Sequence, residues 1–193
     1  GKLAEMADKG IELHVFTGNH DLWLKDYLPS QFPVQIYREP ITQTFFEQRY
    51  YLAHGDGLGP GDHGYKLMKK VFTHPLSKWL FARLHPNFGI GLALGMSRHG
   101  GDHDYNRFHE QLAFAEQDPL CIHSKEMLNA QPDIRYFVYG HRHALAEMPL
   151  TDQATLFVLG DWIHYFSYLK VTEKGPELLR FPIEEETLSL PSS

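Results

Sequence analysis

Three short runs in the chain combine glycine with residues able to hold a metal ion or move a proton: Gly18-Asn19-His20-Asp21, His54-Gly55-Asp56 and Gly140-His141-Arg142-His143. Imidazole nitrogens and an amide oxygen are neutral donors suited to first-row divalent cations. In Gly-His-Arg-His the two imidazoles stand two residues apart in an extended turn, so both can face one side. The glycines permit backbone angles and close approaches that a Cβ would block. One histidine at a strand end is an ordinary surface residue. Three glycine-flanked clusters, in a chain with 13 histidines, point to a metal site.

Such clusters work only if rigid elements carry them to one place. Each directly follows an apolar run that reads as a strand: residues 11–16, 49–53 and 135–139. Further strands are expected over 34–37, 42–46, 155–159, 165–171 and 178–181, and helices over 2–9, 65–85, 106–116 and 124–129. Strands ending in polar clusters predict an α/β fold with its site at the strands' C-terminal ends. The tail over 184–193 is expected to fray.

The 193 residues suit one domain or two small ones, and 42% apolar, 13% aromatic and 22% charged residues are the balance of a soluble globular protein. A single cysteine, Cys121, excludes an internal disulfide framework. No apolar run reaches the ~20 residues that span a bilayer, and the first residues do not form a secretory signal. A net charge of −6 disfavours a nucleic-acid partner. The charge is uneven: residues 61–110 carry seven Lys and Arg against four acids, a net +3, and the remainder is −9. This shift suggests an inserted helical segment with a partner of its own. Leu159-Gly-Asp-Trp162 reads as a structural turn, and Asp102-His103-Asp104 carries little weight as a ligand motif because no strand precedes it.

Together, Gly-Asn-His-Asp, His-Gly-Asp and Gly-His-Arg-His resemble the later part of the calcineurin-like metallophosphoesterase signature. Within that superfamily the stretches 51–57 and 136–143 are most similar to the UDP-2,3-diacylglucosamine hydrolases. The resemblance covers nearly the whole chain. It implies an αββα sandwich over 1–193 with a helical insertion, or lid, over about 61–115. It implies Asn19, His54 and His141 as ligands of a second metal and His143 as a ligand of the first. His20 would stand beside the scissile phosphate as proton donor or charge stabiliser, oriented by Asp21. The reaction implied is metal-dependent cleavage of the pyrophosphate of UDP-2,3-diacylglucosamine to UMP and lipid X, in lipid A biosynthesis, with Mn²⁺ as the cation. In the family two cations clamp the phosphate, and imidazoles bind them only when neutral. The implied location is cytoplasmic, peripheral at the inner membrane of a Gram-negative bacterium, with the insertion meeting the lipid and the 88–96 run bordering an acyl pocket.

The superfamily signature begins with Asp-x-His and Gly-Asp-x-x-Asp on its first two strands, and neither precedes Gly18 here. The expectation is therefore a chain lacking the N-terminal strands of a longer enzyme, holding one metal ion or none, with sheet edges that invite self-association. Two other readings stand beside this one: a calcineurin-like phosphodiesterase or phosphomonoesterase acting on a soluble substrate, and a non-catalytic module.

Overall fold

The computed structural model describes residues 1–24, 26–84, 87–91 and 116–182. Helix α1 (Lys2–Asp8) leads to strand β1 (His14–Phe16), which pairs in parallel with β2 (Gln35–Tyr37). The turn carrying Asn19, His20 and Asp21 lies between them, followed by a short helix, α2 (Tyr27–Gln31). Five residues with an internal Pro29 give no readable helical period, so this helix had no sequence signal.

The body is a five-stranded sheet. Its strands are β3 (Ile41–Phe45), β4 (Gln48–Ala53), β5 (Ile134–Tyr139), β6 (Leu145–Thr151) and β7 (Ala154–Leu159), in the order β3-β4-β5-β7-β6. The three central strands β4, β5 and β7 run parallel, and the edge strands β3 and β6 run antiparallel to them. Strand β6 was not among the expected strands, and it contains Pro149. An edge strand tolerates a proline, and the pairing shifts register between Pro149 and Thr151.

Alternation along the central strands divides the core in two. On one face Tyr51, Ala53, Phe137, Tyr139, Leu156 and Val158 pack against Leu120 of helix α5 (Pro119–Ala130). That helix is longer than the expected 124–129, since Asp118 caps its start by accepting the Leu120 N–H at 2.8 Å and Pro119 takes the first turn. On the other face Tyr50, Val138 and Phe157 meet Leu169, Val171 and Leu178 of a hairpin, β8 (Ser167–Thr172) and β9 (Gly175–Arg180). The result is an α/β arrangement with a mixed sheet between a helix and a hairpin.

The single helix expected over 65–85 is two: α3 (His63–Thr73) and α4 (Pro75–Phe81). Pro75 bars the helical conformation from His74, which is extended at φ −63° and ψ 133°. The His74 Nδ1 then accepts the Leu76 N–H at 3.2 Å and caps the second helix. Most of the 106–116 helix, most of the 88–96 run, the Asp102-His103-Asp104 motif and the 184–193 tail lie outside the described residues.

Candidate metal centre

Parallel pairing of β4 with β5 decides what meets at the sheet's C-terminal edge. Ala53 stands opposite Tyr139, so His54 and Gly140 leave the sheet side by side, and the Gly140 N–H donates to the His54 carbonyl at 3.0 Å. One residue on, the His141 ring lies against that of His54 with centroids 5.2 Å apart and planes at 58°. Both histidines of Gly-His-Arg-His adopt left-handed backbone, His141 at φ 57° and His143 at φ 48°. Two non-glycine residues in that region within three positions hold conformational strain of the kind that collects at functional sites. Between them Arg142 pairs with Asp118, so the loop is fastened to the residue that caps α5.

The turn after β1 reaches the same place. Gly18 is buried, and a Cβ built on it would collide with the His54 Nε2 and come within 2.8 Å of Cδ2 and Cε1. Only glycine lets this turn lie on the imidazole. Asn19 follows directly and is half-buried, whereas His20 and Asp21 are exposed. The Asp21 N–H donates to the Gly18 carbonyl at 3.0 Å. Two residues beyond, Trp23 donates from Nε1 to the Phe72 carbonyl at 2.9 Å and packs edge-on to Phe81 at 4.5 Å. The turn is therefore anchored to α3 and α4.

Charge around these imidazoles is arranged by two aspartates. Asp56 is buried; Oδ1 takes the His54 Nδ1 at 2.8 Å, and Oδ2 accepts from the Tyr65 hydroxyl at 2.6 Å and the Lys69 ammonium at 2.7 Å. Burial pushes its pKa up, but hydrogen bonds from His54, Lys69 and Tyr65 more than offset this and hold the carboxyl well below the ordinary carboxylate range. Asp161 accepts backbone N–H groups from Ile163, His164 and Tyr165 at 3.0, 2.6 and 3.3 Å. This is the turn role expected for the Leu-Gly-Asp-Trp run, yet the same carboxylate also lies 3.5 Å from His143 Nδ1 and 3.4 Å from His164 Nδ1. Neither aspartate was singled out as a site residue from sequence. For Asp56 the signal was present, a carboxylate two residues after a candidate ligand in His-Gly-Asp.

Burial, with His54 alongside, pushes the His141 imidazole down to about 4, so it is neutral at physiological pH, the form that binds a metal. A cavity of about 40 Å³ opens beside His54 between Thr17, Arg38, Asp56 and Lys69, room for a water, and His141 and Asn19 do not line it. His141 thus fits a divalent cation as a neutral nitrogen donor, with the His54 ring against it and Asn19 on the adjoining turn. His143 belongs to a separate group with Asp161 and His164, its side chain 56% exposed. Among the described residues no group of three or more His, Cys, Asp or Glu is gathered to hold a metal ion.

No family model matches the chain. It is 35% identical over 181 residues to a UDP-2,3-diacylglucosamine hydrolase of Porphyromonas gingivalis, a match covering 87% of this chain and 68% of that protein. Proteins of the same name from Pseudomonas fluorescens and Edwardsiella ictaluri are 26% identical over 196 residues and 25% identical over 186. Those matches cover 99% and 94% of this chain and 75% and 70% of the relatives. This chain belongs to the UDP-2,3-diacylglucosamine hydrolase family of calcineurin-like metallophosphoesterases.

Proposed function

We propose that the chain serves the metal-dependent hydrolysis of the pyrophosphate of UDP-2,3-diacylglucosamine, a nucleotide glycolipid, giving UMP and lipid X. The observation that carries this reading is the meeting of His54, His141 and the Gly18-Asn19 turn at one edge of the sheet. The relatives' name supplies the substrate class. Asn19, His54 and His141 would hold one divalent cation, Mn²⁺ in our reading, and His143 would serve a second site. When bound, such a cation polarises phosphoryl oxygen and offsets its growing negative charge. His20, exposed on the turn beside this site, donates a proton or hydrogen bond to the phosphate, and Asp21 orients it.

The fold in this proposal is the αββα sandwich, with the five-stranded sheet as one of its two sheets and α3 and α4 as the start of the 61–115 lid. The lid also supports a peripheral place on the cytoplasmic face of the inner membrane. Leu67, Val71, Leu76, Trp79 and Leu80 are exposed on helices that also bear Lys66, Lys70 and Lys78, with Arg83 just past the end of α4, the apolar-plus-basic pattern that favours an anionic lipid surface. No helix among the described residues is long and apolar enough to cross a membrane. Self-association is supported by β1 and β2, which among the described residues pair only with each other and leave strand edges open.

The test is release of UMP from UDP-2,3-diacylglucosamine with Mn²⁺ present. Loss of release in His141→Ala is the expected result. Turnover of soluble nucleotide esters with none of the glycolipid would overturn the substrate assignment.

A further inference from the structure

We propose that Asp56 is a positioning residue for His54: it takes the Nδ1 proton, leaves the Nε2 lone pair facing the Gly18 turn, and is itself held by Lys69 and Tyr65 of α3. The inference rests on the reading of His54 as a metal ligand and adds to it the group that selects the ligand's tautomer.

The donor count decides the direction of each bond. An ionised carboxylate only accepts, so the 2.8 Å contact from His54 Nδ1 to Asp56 Oδ1 puts the proton on Nδ1. A neutral imidazole with Nδ1 protonated has its free lone pair on Nε2. That nitrogen points to Gly18, where the absence of a Cβ gives it access. The other carboxylate oxygen is engaged by Tyr65 and Lys69, both donors, at 2.6 and 2.7 Å. The Asp56 side chain is 4% exposed, so water cannot replace these partners freely. Two donors from one helix and one from the sheet edge fix the carboxylate between them. The ring orientation of His54 is thereby tied to the place where α3 sits. Asp161 repeats the arrangement at longer range, with backbone N–H groups holding the carboxylate and His143 Nδ1 at 3.5 Å.

The same count gives a sharp consequence for Asp56→Asn, which keeps shape and volume. Lys69 and Tyr65 still require an acceptor, so the amide oxygen stays with them and the amide NH₂ turns to His54. Nδ1 must then accept, and the imidazole proton moves to Nε2, the nitrogen that would bind the metal. Removing the partner of a metal-bound histidine costs ~10–100-fold in metal affinity.

The experiment uses the full 193-residue chain. Long-range ¹H–¹⁵N correlation spectra of the metal-free protein read the His54 tautomer, and calorimetric titration with Mn²⁺ alone reads affinity. The expected results are an Nδ1–H tautomer in the native chain, an Nε2–H tautomer in Asp56→Asn, and Mn²⁺ affinity weakened ~10–100-fold in that variant. Lys69→Met leaves the Asp56–His54 bond in place and keeps Nδ1–H. An Nε2–H tautomer in the native chain would overturn the proposal without recourse to any variant. So would an Asp56→Asn protein with its tautomer and Mn²⁺ affinity unchanged. If the native chain binds no Mn²⁺ while the tautomer switches as expected, the positioning role stands and the ligand reading of His54 falls.

Discussion

Gly18→Ala isolates the close approach on which the site depends. The glycine has an ordinary backbone conformation, so alanine is allowed there and brings a small gain from a less flexible unfolded chain, ~0.4–1 kcal/mol. The cost is steric. The added methyl would sit 2.8 Å from His54 Cδ2 and Cε1 and nearer still to Nε2, against an optimal separation of about 3.5–4.0 Å between carbon atoms. Either the turn or the imidazole must retreat by on the order of 1 Å. His54 cannot move alone without breaking its 2.8 Å bond to buried Asp56. A crowded contact of this size costs ~1–3 kcal/mol, so the net loss of stability is about 0–2.5 kcal/mol. Function is hit harder, because a 1 Å misplacement of a catalytic group costs about 10²-fold in rate. Parallel measurements of Mn²⁺ affinity, UMP release and urea unfolding test this. The expected pattern is a rate or affinity loss near two orders of magnitude with most of the folding stability kept. Wild-type Mn²⁺ affinity and rate in a folded Gly18→Ala protein would refute the placement of a working His54 Nε2 beneath this turn.

Other perturbations follow from the same geometry. Gly59 combines φ +73° with a Cβ position inside the Pro119 carbonyl group, a backbone obstacle at the start of α5; Gly59→Ala should lower the urea midpoint by an amount equivalent to ~2–3 kcal/mol, and an unchanged midpoint would mean the loop is not docked there. Burial lowers the pKa of His123, whose Nε2 lies 3.0 Å from the Tyr51 hydroxyl. Its contribution to stability is therefore complete above the unfolded value of about 6.5 and is lost as the pH falls from there through the lowered folded value. His123→Gln should flatten that part of the stability–pH curve, leaving the share of the same sign due to His141, and an unaltered curve would contradict it. On the lid, Trp79→Ser with Leu80→Ser should reduce sedimentation with vesicles of anionic phospholipid severalfold; equal binding by the variant would move the lipid-facing surface elsewhere.

The sequence made the three clusters legible because glycine, asparagine and histidine at strand ends have few purely structural uses in such combination. The strands behind them were readable from apolar runs, and parallel order then does the rest: Ala53 opposite Tyr139 sets His54 beside Gly140 without further information. Less visible was anything set by tertiary contact. Asp56 becomes a partner of Lys69 and Tyr65 only when α3 folds back over the His-Gly-Asp loop. Asp161 reaches His143 only because β7 and β5 end together, with Val158 opposite Tyr139. Pro75 and Pro149 stand where the expected elements and the structure differ. The first ended a helix where apolar periodicity continued, and the second sat in an edge strand where proline is tolerated. The pairing of His54 with His141, and the separation of His143 toward Asp161, are properties of loop backbone at positive φ that no periodicity encodes.

We expect His54 and His141 together to hold a divalent cation. Elemental analysis after loading with Mn²⁺ and removal of the excess, on the native chain and on His141→Ala, tests it most directly. One bound ion is expected in the native chain and none in the variant. Equal metal content in the two proteins would contradict it.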